Sequence, residues 1–239
     1  MSPDPGVGQN PGGESGGDPA ARFRQALDAE VTPKRAATRR LGEAVRSLID
    51  GMVALDAPAA ELDEAARRVE ELVDWVGQYP QGRLFDGFAE SANAGTPAAF
   101  FDHSPIIGPA NPVAPPVTLT TAGDRVVGHV TFGAAYEGPP GCVHGGYLAA
   151  VFDEVLGMVQ SLTGNPGMTG TLTVRYRRPT PLRRQLRFEG ELVRVEGRKI
   201  FTTGRSLADG EVTAEAEAVF ISVDFARIAE LYARRDTAG

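Results

Sequence analysis

Apolar residues recur at three- and four-residue spacing in two stretches near the start of the chain. The first contains Leu41, Val45, Leu48, Ile49 and Met52, and the second contains Leu62, Ala66, Val69, Leu72, Val73 and Val76. This spacing predicts two long amphipathic helices within residues 19–78, separated by Gly51 and the turn 56–58, with a shorter helix near 19–30. Both are too short for sustained heptads, which favours a scaffold or dimer-covering hairpin over a partner-binding coiled coil.

After residue 116 the pattern changes to the two-residue alternation of strands. Strands are predicted at 117–121, 125–132, 169–177, 185–196, 198–208 and 211–223. An almost wholly apolar run at about 145–162 lies between the second and third strands and predicts a buried helix. This order predicts an α+β fold in which an antiparallel sheet wraps around a long central helix, with an N-terminal helical extension.

The remaining segments predict the domain organisation. Residues 1–18 are rich in glycine and proline and are predicted to be a disordered tail before the helical extension at 19–78. Residues 79–116 show little periodicity and are predicted to be an extended linker, whose four prolines between 106 and 116 favour a path over the surface. The main domain is predicted at 117–223, followed by a short amphipathic tail at 224–239.

Composition narrows the classes of function. The chain has 239 residues and a net charge of −7, which argues against nucleic acid as its main partner. One cysteine and three scattered histidines allow no intrachain disulfide and make a metal site unexpected. The N-terminus lacks the pattern of a signal peptide, and no apolar run approaches the roughly 20 residues of a membrane span, so a cytoplasmic protein is expected.

One segment, GCVHGGYLAAVFDE at 141–154, joins a small-residue turn to an apolar helix that carries a carboxylate. Backbone N–H groups of Gly145 and Gly146 at a helix N-terminus can meet a developing negative charge. Asp153 in such a helix must be paired, neutralised or used in chemistry.

His144 and Asp153 are nine residues apart, on opposite sides of one helix and about 13 Å apart along its axis. A two-fold dimer with antiparallel helices would join the turn of one subunit to Asp153 of the other.

Each of these residues also has a purely structural interpretation. The two glycines permit a tight turn, Asp153 could bond backbone or a hydroxyl side chain, and His144 could be a helix cap or a core histidine. Glu154 faces about 100° away from Asp153, so the two are not expected to share a site. Cys142 has no base and orienting group in its pattern and is interpreted as incidental.

Residues 175–199 form a second constellation, with nine basic and three acidic side chains in a chain of net charge −7. This local excess predicts a patch that binds a polyanionic small ligand. The alternative is that the charges only solvate strand edges and prevent aggregation.

Four stretches in this order and spacing resemble the hotdog-fold acyl-CoA thioesterases of the phenylacetate-pathway (PaaI-like) group, and especially the thioesterase-superfamily-member-4 type. They are 143–146 (VHGG) with Asp153 nine residues after His144, 168–169 (MT), 176–182 (YRRPTPL) and 195–199 (VEGRK). The resemblance covers about 117–223, roughly half of the chain.

The resemblance implies a role for each matching residue. Asp153 would be the general base or the nucleophile, the N–H of Gly146 with that of Gly145 would hold the thioester oxygen, and His144 would orient the thioester or a nearby loop. Thr169, placed on the same pleat face as Arg175 and Arg177, would position the water or Asp153.

The resemblance also implies which residues bind the substrate. Coenzyme A is part of the substrate rather than a cofactor, and its phosphates and nucleotide would be bound by Arg175, Arg177, Arg187, Arg198 and Lys199. The acyl chain would lie against residues such as Tyr147 and Leu156.

The resemblance also implies fatty acid metabolism and a homodimer that can pair into a homotetramer. A thioester is a suitable substrate for such a site, because it is reactive enough to be hydrolysed with one base and one pair of oxyanion donors. Two alternatives stay open, a hotdog enoyl-CoA hydratase or dehydratase and a non-catalytic acyl-CoA binding protein.

Overall fold

Six antiparallel strands form one sheet in the computed structural model, which describes residues 31–79, 102–123, 125–165 and 167–223. The strands are β1 Thr118–Ala122, β2 Arg125–Thr131, β3 Gly167–Tyr176, β4 Gln185–Glu196, β5 Lys199–Ala208 and β6 Glu211–Ser222. Their order across the sheet is β1-β2-β4-β5-β6-β3, so the chain crosses over the sheet between β2 and β3. Each lies within two residues of its prediction. The tails at 1–18 and 224–239, the short helix near 19–30 and residues 80–101 of the predicted linker lie outside the described residues.

The crossover contains the predicted central helix, which packs against one face of the sheet. Two helices near the start of the chain precede the sheet. The three helices are α1 Pro33–Val53, α2 Ala59–Gly77 and α3 Gly145–Ser161. The predicted antiparallel sheet around a central helix, with helices before it, is therefore confirmed.

Small residues on the sheet let α3 approach closely. A Cβ added at Gly190 of β4 would lie 2.9 Å from Cγ1 of Val155, and one at Gly204 of β5 would lie 3.1 Å from Cδ2 of Leu156. Phe152 of α3 and Phe188 of β4 meet edge to face with ring centroids 5.0 Å apart, and both are fully buried. Because interiors are close-packed, this contact fixes the height and direction of α3 over the sheet.

Helix α1 lies over the segment that leads into the sheet. Gly42 packs so closely on it that an added Cβ would come 2.8 Å from the carbonyl oxygen of Ala110. Several residues of the segment are buried, among them Ile107, Ala114 and Val117. The prediction that residues 106–116 run extended over the surface is therefore wrong, because turns fold this segment beneath α1.

The boundary between the first two helices also differs from the prediction. Gly51 lies inside α1, where it is exposed, and the break falls at residues 54–58. Proline at position 58 ends the irregular stretch as the N-cap of α2. No residue of α2 is buried, and none of the described helices is long and apolar enough to cross a bilayer.

Candidate active site

His144 caps the N-terminus of α3 with its own side chain. Its backbone is extended, and its Nδ1 accepts a hydrogen bond from the N–H of Gly146 at 3.0 Å. The N–H of His144 donates to the carbonyl of Tyr136 at 2.9 Å, and an added Cβ at Gly138 would lie 2.7 Å from the Cα of His144. The helix-cap interpretation of His144 is therefore the one the structure adopts, and the N–H predicted to bind an oxyanion already has an acceptor.

A side chain at either of the two glycines after His144 would crowd a different neighbour. An added Cβ at Gly145 would lie 3.1 Å from the ring of Tyr176, whose hydroxyl donates to the carbonyl of Gly145 at 2.8 Å. An added Cβ at Gly146 would lie 3.1 Å from Nδ1 of His144. The small residues thus admit two side chains close to the helix end, as well as exposing its N–H groups.

Asp153 is half-buried on α3 and is held by the edge strand. The hydroxyl of Thr169 in β3 donates to its Oδ1 at 2.7 Å. This bond orients the carboxylate of Asp153, and a base or nucleophile needs a fixed orientation. The structure therefore joins Asp153 and Thr169, two of the predicted site residues.

A β-bulge explains how Thr169 reaches the helix. Thr169 pairs with Phe220 of β6, and Thr171 pairs with Val219, so one extra residue is inserted between them. Because the bulge reverses the alternation, Thr169 lies on the helix side of the sheet and Arg175 on the other side. The prediction that Thr169 shares a pleat face with Arg175 and Arg177 is wrong.

Asp153 and the glycine turn do not converge on one point within a chain. Gly146 and Asp153 are seven residues apart, which is two helical turns and about 10 Å. The N–H groups at the start of a helix point along its axis, away from the residues that follow. A carbonyl oxygen bound at Gly146 would thus lie farther still from Asp153 of the same chain.

Glu154 is a carboxylate whose surroundings the sequence did not predict. It accepts a hydrogen bond from the hydroxyl of Ser104 at 3.2 Å, and Ser104 is itself fully buried. Burial raises the pKa of Glu154 to about 7, against the opposing hydrogen bond from Ser104 and with a further increase from the charge of Asp153. Glu154 contacts the segment before β1, whereas Asp153 contacts β3, so the two carboxylates serve different surroundings. No local pattern pointed to Ser104, which lies 50 residues away in the sequence.

The predicted basic patch is largely neutralised by glutamates of β4 and β6. Arg175 pairs with Glu217 at 2.8 Å, Arg177 with Glu215 at 2.6 Å and Arg187 with Glu189 at 2.8 Å. These pairs line one groove of about 550 Å³ on the sheet face opposite α3. The count over 175–199 overstated the local positive charge, because β6 supplies acidic partners that are distant in sequence.

Arg198 and Lys199 lie apart from that groove. In the register of β4 and β5, Lys199 lies opposite Glu196 beside the β4–β5 turn, and Arg187 lies opposite Leu207. Lys199 and Leu207 are eight residues apart along β5. That separation is about 26 Å. Arg198 donates through Nε to the carbonyl of Ser222 at 3.1 Å. The five predicted coenzyme A ligands therefore form two separate groups within one chain.

The predicted acyl-lining residues also separate. Leu156 is fully buried with Cδ2 against the glycines of β4 and β5, so it belongs to the core. Tyr147 is half-buried, and its ring meets that of Tyr136 edge to face at 4.9 Å. Within the described ranges, no three His, Cys, Asp or Glu side chains are grouped to hold a metal ion.

Comparisons with known proteins agree with this architecture. Residues 140–215 match the family model of the thioesterase superfamily. A crystal structure of a thioesterase superfamily protein is 34% identical, covers 77% of this chain and 94% of its own, and superposes with a TM-score of 0.68.

Curated relatives match the same part of the chain. Acyl-coenzyme A thioesterase THEM4 of Xenopus laevis is 38% identical over 93 residues, which are 38% of this chain and 42% of that protein. THEM4 of Mus musculus is 33% identical over 102 residues, 42% of this chain and 44% of that protein. The chain thus spans less than half of the length of these relatives.

The sheet, the central helix and the capped glycine turn define a hotdog-fold protein. The chain belongs to the thioesterase superfamily, and within it resembles the THEM4 type.

Proposed function

We propose that this protein hydrolyses acyl-CoA thioesters to a free acid and coenzyme A. The observation that carries the proposal is the carboxylate of Asp153, held at 2.7 Å by Thr169 on a helix whose N-terminus is a glycine turn. The curated relatives that match the chain are acyl-CoA thioesterases, which supports the same substrate class.

The residues suggest a direct chemical route. As general base, Asp153 takes a proton from water while the water oxygen bonds to the thioester carbon, and the carbonyl oxygen becomes an oxyanion at the N–H of Gly146. The carbon–sulfur bond then breaks, and the thiolate leaves and takes up a proton. As nucleophile, Asp153 would instead form a mixed anhydride that water opens. One turnover in ¹⁸O-water tests for the second route. Label in Asp153 would establish the anhydride and show that water attacks its Asp153 carboxyl carbon, because the general-base route puts the label only in the released acid.

The turn must change its partner when the substrate binds. The N–H of Gly146 donates to Nδ1 of His144 in this structure, so a thioester oxygen has to replace that nitrogen. The displaced imidazole would then lie beside the thioester, which fits the orienting role expected of His144.

We infer that the working unit is a homodimer with two shared sites. Gly146 of one chain and Asp153 of the same chain are too far apart, and oriented too differently, to act on one carbonyl carbon. A two-fold axis between antiparallel α3 helices would supply the missing half from the partner subunit. Further pairing into a tetramer, a role in fatty acid metabolism and a cytoplasmic location remain predictions.

Coenzyme A recognition is assigned to the basic residues outside the sheet groove. Arg175, Arg177 and Arg187 would have to leave glutamate partners before they could bind a phosphate. Arg198 bonds a neutral carbonyl instead, and Lys199 next to it is exposed. We therefore place the phosphates at Arg198 and Lys199.

The test is thiol release from a panel of acyl-CoAs by the purified full chain and its variants. Asp153→Asn keeps the side-chain shape and should lower kcat at least about a hundredfold, because it removes the base. Thr169→Val should lower kcat about tenfold, and Thr169→Ser should retain activity. The control is Asp74→Asn on the exposed helix α2, which should match the wild type.

Three outcomes would overturn the proposal. Absence of thiol release by the wild type with every acyl-CoA excludes the hydrolase, and bound acyl-CoA without turnover would indicate a binding protein. Hydration of crotonyl-CoA without thiol release would indicate a hydratase. A folded Asp153→Asn variant as fast as the wild type would remove Asp153 from the mechanism.

A further inference from the structure

The peptide unit that joins Gly145 to Gly146 is held on its carbonyl side by a tyrosine. The hydroxyl of Tyr176, near the end of the edge strand β3, donates to the carbonyl of Gly145 at 2.8 Å. The ring lies so close that an added Cβ at Gly145 would meet Cζ and the hydroxyl oxygen at 3.1 Å. Tyr176 thus contacts the first residue of α3 across 31 positions of sequence.

The carbonyl of Gly145 and the N–H of Gly146 belong to one planar trans amide. Their directions are opposite and fixed to each other, so a restraint on one is a restraint on the other. A hydrogen bond to the carbonyl also polarises the amide and strengthens its N–H as a donor.

This amide needs an external restraint. Two consecutive glycines have more backbone freedom than any other pair of residues. The first turn of a helix lacks intrahelical acceptors for its N–H groups, so it is held less firmly than the helix interior. On the N–H side the amide is bonded to Nδ1 of His144, and that contact must be given up when a thioester oxygen binds. The bond from Tyr176 is on the opposite side and can persist throughout.

We propose that Tyr176 is a positioning residue that sets the direction and the donor strength of the Gly146 N–H. The inference rests on the proposed hydrolysis, in which that N–H receives the oxyanion. Tyr176 acts through the amide and does not contact the reacting atoms.

The kinetic test is Tyr176→Phe, which removes the hydroxyl and keeps the ring against Gly145. We expect kcat for acyl-CoA hydrolysis to fall about tenfold while KM changes less than twofold, because the N–H is weakened mainly toward the oxyanion. Tyr79→Phe is the matched control, since Tyr79 and Tyr176 are both 55% exposed and Tyr79 lies just after α2. This control should retain wild-type kcat and KM.

A second readout does not depend on turnover. In the substrate-free protein, the amide proton and nitrogen resonances of Gly146 should move upfield in Tyr176→Phe, because the amide loses its carbonyl-side hydrogen bond, and should stay in place in Tyr79→Phe. If the wild type releases no thiol, the proposed hydrolysis fails and the amide shift alone decides the role of Tyr176. An unshifted Gly146 amide, an unchanged kcat in an active enzyme, or a change confined to KM would each overturn the inference.

Discussion

Asp153 and Glu154 are consecutive carboxylates of α3 that meet different surroundings. Asp153 accepts a hydrogen bond from Thr169 at the sheet edge, where a substrate can approach. Glu154 is turned toward the buried hydroxyl of Ser104. One step along a helix rotates a side chain by about 100°, which is enough to give two consecutive carboxylates different surroundings.

Glu154 should make the stability of the protein depend on pH. Its pKa is raised by burial from 4.5 to about 7, so the folded chain binds this proton more tightly than the unfolded chain. The resulting stabilisation is present at low pH and is lost as the pH rises from about 4.5 through 7. Glu154→Gln keeps an oxygen acceptor for Ser104 and removes the titration. We expect its free energy of unfolding to exceed that of the wild type by up to about 3 kcal/mol at pH 8 and to match it near pH 4.5.

Urea denaturation at both pH values measures this difference. Glu71→Gln, on the exposed side of α2, is the control and should leave the pH profile of the wild type unchanged. Parallel profiles for the wild type and Glu154→Gln would contradict the prediction.

At the scale of elements, α1 docks through its polar side and leaves much of its apolar side exposed. Arg35 and Arg39 bond the carboxylate of Asp102, and Asp50 accepts a hydrogen bond from the N–H of Ala135 at 3.1 Å. Burial would raise the pKa of Asp102, but the hydrogen bonds and charges of the two arginines hold it below its ordinary value. Leu41, Leu48 and Met52 are meanwhile exposed. The helix therefore supports the turn that precedes the site through hydrogen bonds more than through apolar burial.

Arg46 should be the main anchor of α1. Its guanidinium is buried and donates to the carbonyls of Ala114 at 2.7 Å and Asn111 at 2.9 Å. Arg46→Ala would leave the buried carbonyl of Ala114 without its donor. The carbonyl of Asn111 would keep only its bond from the N–H of Ala114. The substitution should lower the free energy of unfolding by about 3 kcal/mol. Chemical denaturation measures the effect. Arg67→Ala removes an exposed arginine of α2 with its own ion pairs and should leave the midpoint unchanged. Equal midpoints for both variants would show that α1 is not anchored through Arg46.

At the scale of the whole molecule, the two halves of the chemistry lie at different heights on one helix. The glycine turn is at the start of α3, and Asp153 is two turns farther along. In the proposed homodimer, each site therefore takes one half from each of two chains.

Complementation between two inactive variants tests this arrangement. Asp153→Asn removes the carboxylate. Gly146→Pro removes the N–H, and its ring requires the imidazole of His144 to move aside. Each homodimer should be inactive. After co-refolding at equal amounts, half of the dimers are mixed and each has one intact site, so about a quarter of wild-type activity should return. Thiol release from the mixture measures it, and circular dichroism of each variant checks its folding. Folded variants whose mixture stays inactive would place each site within one chain.

Much of the architecture was readable from local patterns. Strand alternation and the apolar run of α3 predicted the six strands and the central helix to within two residues, because sidedness repeats over short distances. The glycine turn and a carboxylate on α3 were identified from residue type, and the resemblance favoured Asp153 over Glu154. Gly51 was misread as a break, because an exposed helix tolerates a glycine at a cost of only about 1 kcal/mol.

Local sequence patterns could not predict the contacts between distant segments. The bulge beside Gly170 put Thr169 on the side of Asp153, and no alternation rule signals an inserted residue. Glutamates of β6 neutralised Arg175 of β3 and Arg177 just after it, which a count along the chain had left unpaired.

The sequence by itself determined the sheet, the buried helix, and the glycine turn and carboxylate on it, since these follow from periodicity and residue type. Only the tertiary structure decided most of what these groups touch. It joined Thr169 to Asp153, Ser104 to Glu154 and Tyr176 to Gly145, whereas the bond between His144 and Gly146 is a local helix cap. The physical reason is that three of these four bonds join segments 16 to 50 residues apart. The pairing register and the packing of α3 on the sheet bring such segments together, and both are set by the whole chain.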